Sequence, residues 1–267
     1  MTLNRVDHVA LAVQDLAPAR RFYGEVLGLP CIEHTAGLPA WNGDVAGTPL
    51  EGPGRKLFFP VGKSAIALFE AAEGSTVESY VRTEGEGVHH LCFELTETSH
   101  AGGALLPRED HLGLGVALVA EGKGFGLRET QNPTGIENID HVVIASGDSA
   151  ATAAHFRDHL GLEIKRTMTR PGTSSHLEFG KLVDVILEFA GPPEPRPGPL
   201  RAKYWGIVFT VADIHDAVRR TRDAGIRCDD PKAAVQPGAM IAGVKESTGG
   251  VPFAFIQYNA LEVEDRG

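Results

Sequence analysis

The segment VDHVALAV at residues 6–13 returns 133 residues later as IDHVVIAS at residues 139–146. Each copy is followed by a helical pattern and then by Leu-Gly-Leu, centred on Gly28 and on Gly161, with the same offset. Self-similarity that keeps its spacing over such a length indicates a repeated structural unit. The sequence therefore predicts two homologous domains.

A weaker repeat divides each half again. Residues 87–95, GVHHLCFEL, are similar to the opening strand, with His90 in the place of His8. Residues 204–211 have the same place in the second half. We therefore predict four short modules, each with a strand, a helical pattern and further strands. The two domains are placed at residues 1–132 and 137–262.

Apolar spacing predicts the position of several elements. Leu16, Phe22 and Leu27 lie on one stripe of a helix over residues 15–27. A second helix is expected over residues 213–224, whereas residues 98–114 fit a helix poorly. Strands are expected at residues 56–60, 64–71, 177–179 and 182–190.

The composition is typical of a soluble globular chain, with 42% hydrophobic and 22% charged residues and a formal net charge of −10. Such a surface repels phosphate backbones and anionic lipid, which argues against nucleic acid and membrane partners. No apolar run approaches the roughly 18 residues of a membrane-spanning helix. The chain opens directly on a strand pattern rather than a signal peptide. Its three cysteines lack a CxxC spacing, so we expect reduced thiols and a cytoplasmic location.

The opening segment, Phe22-Tyr23, the Leu-Gly-Leu that follows and Gly87-Val88-His89-His90 together resemble the vicinal oxygen chelate superfamily. That group contains glyoxalases, bleomycin-resistance proteins and extradiol dioxygenases, and the first half is most similar to its methylmalonyl-CoA epimerases. The resemblance implies an α+β fold of tandem βαβββ modules forming two glyoxalase-like half-open barrel domains. It also implies a small-molecule substrate that binds a metal ion through two adjacent oxygens.

The family holds one divalent metal ion with side chains from the first strands and from late strands. The resemblance places the ligands of this chain at His8, His90 and Glu129, with Glu129 also as a candidate catalytic group. A histidine in an apolar strand is more often a core residue, but two at equivalent positions of repeated modules favour a metal. Two imidazoles and one carboxylate leave open positions, which is typical of non-haem Fe(II) oxygenases. Fe2+ or Mn2+ is therefore favoured, and Zn2+, Co2+ or Ni2+ also suits this set.

The chain departs from the epimerase pattern at the fourth ligand, where the resemblance places Ala67 instead of Glu or Gln. Glu70 follows three residues later, on the opposite strand face by alternation. We interpret Glu70 and its counterpart Glu188 as solvated carboxylates at strand ends. Glu70 stays a candidate catalytic base for the case that the register differs by one residue. Alternation also turns His89 away from His90, so His89 is left out of the site.

The second domain lacks a complete ligand set. His141 is retained, but the positions of the second histidine and of the carboxylate hold Gly206 and Ala254. We interpret this domain as a support for the fold or as one wall of the substrate cavity. Tyr204 and Trp205 are candidates for that wall.

Three functions are compatible with these residues. An extradiol-type dioxygenase is favoured, because an ion without a fourth protein ligand keeps three sites for dioxygen and a bidentate substrate; against it, no further His or Tyr can be assigned as acid–base partner. A metal-dependent epimerase, isomerase or lyase acting through an enolate is the alternative, although proton transfer on both faces of a carbon needs two bases. A metal-free protein that binds an antibiotic is a further alternative, which the retained ligands disfavour. A homodimer is compatible with all three.

Overall fold

The computed structural model describes residues 2–33, 53–96, 104–122, 124, 132, 134–245 and 249–259. These residues form two mixed β-sheets with few helices, one sheet from each half of the chain. The expected α+β fold of tandem modules is confirmed. Neither sheet closes into a barrel within the described ranges.

The first sheet contains strands from both modules of the first half. They are β1 (Leu3–Val13), β2 (Ile32–Glu33), β3 (Lys56–Val61), β4 (Ser64–Glu70), β5 (Gly87–Leu95), β6 (Ala104–Leu106) and β7 (Val116–Val119). Their order across the sheet is β2-β3-β4-β1-β5-β7-β6. The first strands of the two modules, β1 and β5, are therefore neighbours at its centre.

The second sheet repeats this plan. Its strands are β8 (Ile136–Ser146), β9 (Ile164–Thr169), β10 (His176–Lys181), β11 (Ile186–Gly191), β12 (Ala202–Val211), β13 (Lys232–Ala233), β14 (Met240–Val244) and β15 (Phe253–Gln257). Their order is β13-β14-β15-β12-β8-β11-β10-β9. Again the first strands of two modules, β8 and β12, lie side by side and antiparallel.

Short helices connect these strands. They are α1 (Leu16–Arg20, which continues as a π-helical turn over Arg21–Val26), α2 (Thr76–Glu84), a 3-10 turn (Arg108–His111), α3 (Ser149–Leu160) and α4 (Ile214–Asp223). Side-chain oxygens of Asp15, Ser75, Asp148 and Asp213 cap the four α-helices at their N-termini. None of the helices in the described part of the chain is long and apolar enough to cross a membrane.

The two sheets share one hydrophobic core. Buried residues of both halves form a continuous cluster, and the ring of Phe22 lies 5.0 Å from that of Phe253. The backbone N–H of Ala202 donates to the carbonyl of Leu112 at 3.0 Å. The halves are therefore packed against each other.

The structure differs from the sequence-based expectations in two places, and a third expectation is not tested. Helix α2 was not expected. The strand expected from residue 182 begins at Ile186, because Leu182 and Val185 close a turn with an N–H···O bond of 3.0 Å. The expected last strand around Glu129 lies outside the described residues, and the strand that runs parallel to β5 is β7.

Candidate functional site

A β-bulge in β1 interrupts the alternation of side chains near the start of the first sheet. Val6 pairs with Phe93 and His8 pairs with Cys92, so Asp7 is an extra residue on β1. Its carboxylate lies against the neighbouring imidazole, with Oδ2 at 3.0 Å from Nδ1 of His8. Asp7 and His8 are both fully buried.

A second bulge, in β5, interrupts the alternation of side chains at His89 and His90. Ala10 pairs with His90 and Leu11 pairs with Val88, so His89 is the extra residue. The two rings meet through their Nδ1 atoms at 2.9 Å. The expectation that His89 turns away from His90 is therefore wrong, because a regular alternation does not hold across a bulge.

Between the two bulges β1 and β5 pair regularly, which places His8 and His90 on one face of the sheet. We call this the inner face; it also carries Ala10, Ala67 and Phe69. The rings of His8 and His90 are 5.4 Å apart, and that of His90 lies 5.7 Å from Phe69. Both histidines are only 1% exposed.

The hydrogen bonds at Nδ1 set the tautomers of the two rings. A carboxylate only accepts hydrogen bonds, so the ring of His8 donates to Asp7 through Nδ1 and its Nε2 carries the lone pair. When His90 donates through Nδ1 to His89, its Nε2 carries the lone pair as well. Imidazoles that bind metals are typically held in this way by a partner at the other nitrogen. The residues present therefore fit a divalent ion.

Asp7 is itself held by a buried ion-pair network. The Arg5 guanidinium lies 2.8 Å from Oδ1 of Asp7 and 3.0 Å from a carboxylate oxygen of Glu94. Asn4 also donates to Glu94 at 3.1 Å. One oxygen of Asp7 thus binds Arg5 and the other binds His8, which fixes the orientation of the imidazole.

His89 is fixed from its other sides. The Tyr80 ring lies 4.9 Å from the His89 ring, and the Arg108 guanidinium lies 4.9 Å above Tyr80 and donates to the His89 carbonyl. Burial, and secondarily Arg108, lower the pKa of His89 to about 3. Burial, with further contributions from His89, His8 and Arg108, holds the pKa of His90 well below its usual value. Both imidazoles are therefore neutral at pH 7, and neutral is the form in which His90 can bind a metal.

Small and thiol side chains surround the two histidines. Ala65 and Cys92 pair with His8 on either side, and Ala67 lies beside Ala10. Ligand atoms of Asp7, His8 and Cys92 lie within 4.8 Å of one another. Burial above all raises the pKa of the Cys92 thiol well above its usual value, so that it is protonated at neutral pH.

The two candidate glutamates have different positions. Glu70 lies at the end of β4, on the face opposite Ala67, and accepts from the Arg55 N–H at 3.3 Å. The structure therefore does not bring Glu70 to His8 and His90. Glu129 lies outside the described residues.

The second sheet contains the same dipeptide at the same bulge. Val208 pairs with His141 and Phe209 with Ile139, so Asp140 is the extra residue, and its carboxylate lies 2.7 Å from Nδ1 of His141. Gly206 pairs with Val143, which gives it the register position of His90 in the first sheet.

Glu188 is the counterpart of Ala67 rather than of Glu70. Ala67 pairs with Ala10, and Glu188 pairs with Val143, which is the repeat of Ala10. Its carboxylate is 4% exposed, so the interpretation as a solvated strand-end residue is wrong. The sequence suggested Glu70 as the counterpart because Glu70 and Glu188 both lie eight residues after the glycine of a Gly-Lys pair. However, β4 starts two residues after Gly62, and β11 starts six residues after Gly180.

The buried carboxylate of Glu188 has two partners. One oxygen lies 2.6 Å from the Arg170 guanidinium, and the other lies 3.5 Å from Nε2 of His141. Arg170 thus neutralises a carboxylate at the position that corresponds to Ala67, to which the resemblance assigned the fourth metal ligand.

A cavity of about 1100 Å³ lies between the two halves of the chain. Tyr80, His89 and Arg108 line it from the first half, and Tyr204 and Trp205 from the second. Tyr204 and Trp205 were expected to line the substrate cavity; both line this one, and its role as the substrate cavity stays a prediction. His89, which is the hydrogen-bond partner of His90, is part of the cavity wall.

Sequence reasoning missed His89 and the true position of Glu188. A signal for the bulges was present in the Asp-His dipeptide, which stands at the same place in both copies of the repeat, as Asp7-His8 and as Asp140-His141. The His89-His90 pair was a second such signal. Neither can be recognised by counting alternate residues.

The chain is similar to known proteins over part or all of its length. It is 31% identical to the human mitochondrial methylmalonyl-CoA epimerase over 100 residues, which are 37% of this chain and 51% of that protein. It is 28% identical to the uncharacterized protein YqjC of Bacillus subtilis over 151 residues, 52% of this chain and 99% of that one. A variant of 4-hydroxymandelate synthase from Streptomyces coelicolor has a similar fold, with a TM-score of 0.70, 14% identity and coverage of 99% and 100% of the two chains.

The family model of the Glyoxalase/Bleomycin resistance protein/Dioxygenase superfamily matches residues 5–105 and 138–253. The two matches correspond to the two sheets and to the two copies of the repeat. The chain therefore belongs to the Glyoxalase/Bleomycin resistance protein/Dioxygenase superfamily.

Proposed function

We propose that this chain is a metal-dependent enzyme that holds one divalent ion with His8, His90 and Glu129. Its substrate is a small molecule that chelates the ion through two adjacent oxygens. The observation that carries the proposal is the pair of buried imidazoles, each held at Nδ1 by a fixed partner.

The residues around the pair have separate tasks in this proposal. Asp7 holds the ring of His8, and His89 holds the ring of His90 and touches the cavity. Tyr80 and Arg108 hold His89 in place. The ion would act as a Lewis acid on the substrate oxygens and stabilise their negative charge.

We favour an Fe2+- or Mn2+-dependent dioxygenase of the extradiol type. Ala67 supplies no ligand, which leaves room on the ion for dioxygen and a bidentate substrate. The sequence offered no further imidazole or phenol near the site. His89 lies against His90, and Tyr80 lies against His89, so these two residues are the candidates for the acid–base partner.

An epimerase, isomerase or lyase that acts through an enolate is the second candidate. The 31% identity to human methylmalonyl-CoA epimerase favours it. Against it, Glu70 points away from the inner face, and Asp7 is occupied by Arg5 and His8. Neither of these two carboxylates is therefore placed as a base on the inner face.

Metal analysis of the purified protein tests the site. We expect about one equivalent of divalent metal, which is lost in His8→Ala and in His90→Ala. His141→Ala is the matched control, because it removes the same residue from the same bulge of the second sheet and leaves the metal in place. Full metal content in both first-domain variants would refute the assignment.

Oxygen uptake with catechol-like substrates separates the candidate reactions. Iron or manganese together with uptake supports the dioxygenase. Zinc, cobalt or nickel without uptake supports the epimerase or lyase. A protein that purifies without metal and takes up none when it is added supports the antibiotic-binding alternative.

We also propose a cytoplasmic location. All three cysteines are free, and Cys92 and Cys228 are buried. Free thiols persist in the reducing environment of the cytoplasm.

A further inference from the structure

The cavity between the two halves is larger than a chelating head group requires. Its volume of about 1100 Å³ exceeds the 300–1000 Å³ that is typical of pockets for small molecules. His89 lines it on the side of the proposed metal site. The remaining space is available to a second part of the bound molecule.

One wall of this cavity is the beginning of β12. Burial alternates there, because Ala202 and Tyr204 pack on the core while Arg201, Lys203 and Trp205 are exposed. All five residues line the cavity.

Two hydrogen bonds fix this wall against the first half. The N–H of Ala202 donates to the Leu112 carbonyl at 3.0 Å, and the hydroxyl of Tyr204 donates to the Gly115 carbonyl at 2.7 Å. Lys203 lies between these two residues on the fixed strand, and Arg201 directly precedes them.

Arg201 and Lys203 are available to a bound molecule. Neither forms an ion pair with any residue that the structure describes. The third cation of the cavity, Arg108, is engaged with the Tyr80 ring and with the carbonyls of His89 and Gly113.

Three carboxylates also line the cavity, and all of them belong to the first half. Glu84 ends α2 and Glu109 lies in the 3-10 turn, while Glu86 accepts from the backbone N–H of Gln14. The acidic residues thus come from the first half, and the two cations without ion-pair partners come from the second.

Trp205 adds an aromatic surface beside these cations. It is the extra residue of the bulge in β12, since Tyr204 pairs with Ile144 and Gly206 with Val143. Its side chain is 51% exposed, which is unusual for a large aromatic residue. An indole beside two cations suits a planar ring that bears a negative charge.

We propose that Arg201, Lys203 and Trp205 form a binding wall for an aromatic carboxylate. The ring stacks on the Trp205 indole, and the carboxylate pairs with Arg201 and Lys203. To call this molecule the substrate rests on the proposed function, whereas the binding itself needs no metal. The second domain then determines specificity for the site in the first.

Calorimetric titration of the full chain with 2-naphthoate tests this wall. We expect saturable binding of one molecule per chain, at least tenfold tighter than that of the uncharged 2-naphthamide. The double variant Arg201→Ala/Lys203→Ala loses at least tenfold in affinity. The double variant Arg166→Ala/Lys232→Ala removes the same charge from exposed positions outside the cavity and serves as the control.

Several results would overturn the proposal. These are equal affinity for 2-naphthamide, stronger binding of the cation 2-naphthylmethylamine, absence of saturable binding, or an equal loss in the control variant. Trp205→Ala gives a second check, since it leaves the charges in place and is expected to weaken binding of the naphthalene ring. Thermal melts establish that each variant is folded.

The result of the 2-naphthoate titration can be distinguished from the result of the metal analysis. His8→Ala and protein treated with EDTA are both expected to bind 2-naphthoate as the untreated protein does. If His8→Ala keeps its metal, the proposed function fails while the anion-binding wall stands. If 2-naphthoate fails to bind to protein with a normal metal content, the wall fails alone.

Discussion

The Asp-His dipeptide occurs at the same bulge of both sheets, yet its surroundings differ. Asp7 shares its carboxylate between His8 and Arg5. Asp140 binds His141 and also accepts from Thr210 at 3.2 Å and from Tyr258 at 2.8 Å. Although burial acts to raise the pKa of Asp140, these hydrogen bonds hold it below the usual value. In each case the carboxylate orients an imidazole.

Asp7→Asn is expected to lower the affinity for the divalent metal by about 10- to 100-fold, since the ring of His8 loses its charged partner. Competition with a coloured chelator measures this affinity. Asp140→Asn makes the same change at the same bulge of the second sheet and is expected to leave the affinity unaltered. An equal effect of the two substitutions would contradict the assignment of the site to the first sheet.

At the scale of elements, α2 covers part of the inner face. Val77 is its one buried residue within the described chain, and it packs with Ala10, Ala67 and Phe69. Ser75 caps the helix at the N–H of Glu78. The helix therefore closes the inner face beside Ala67, where a fourth ligand would stand.

Val77→Ala is expected to destabilise the protein by about 2 kcal/mol, from two lost methyl groups and the cavity that they leave. Urea unfolding measures the change. Thr83→Ala, at an exposed position of the same helix, is the control. A loss below about 0.5 kcal/mol would mean that α2 is not packed on the inner face as the structure has it.

The repeat, the helices α1, α3 and α4 and the first-strand histidines could be predicted because they depend on local patterns. The faces of β1 and β5 could not, because one extra residue in each strand reverses the alternation after it. The residue of the second sheet that corresponds to Ala67 was misjudged for a related reason, since the turn before β11 is longer than the turn before β4. Pairing across a sheet, rather than counting along the chain, identifies Glu188.

At the scale of the molecule, the two halves share a fold but differ in their candidate roles. The first has two imidazoles on its inner face, and the second has an imidazole beside the ion pair of Glu188 and Arg170. The second half also supplies the cationic wall of the cavity between them. Their packing therefore contributes to the site as well as to stability.

Three histidines meet where the halves pack together. Nε2 of His155 lies 3.3 Å from Nδ1 of His111, and the rings of His155 and His159 stack at 4.2 Å. Burial and then the neighbouring His159 lower the pKa of His155, and burial lowers that of His111 as well. The unfolded chain therefore binds these protons first as the pH falls. The stability from this contact is complete above about pH 6.5 and declines below it.

We expect the Tm of the protein to fall between pH 7 and pH 5, and to fall less in His155→Gln, because that variant has one histidine fewer to protonate on unfolding. Differential scanning calorimetry over this range measures the slope. His215→Gln, at an exposed position of α4, is expected to keep the slope of the unmodified protein. If His155→Gln also keeps this slope, protonation of the three histidines does not determine the pH dependence of Tm, which then arises from other residues.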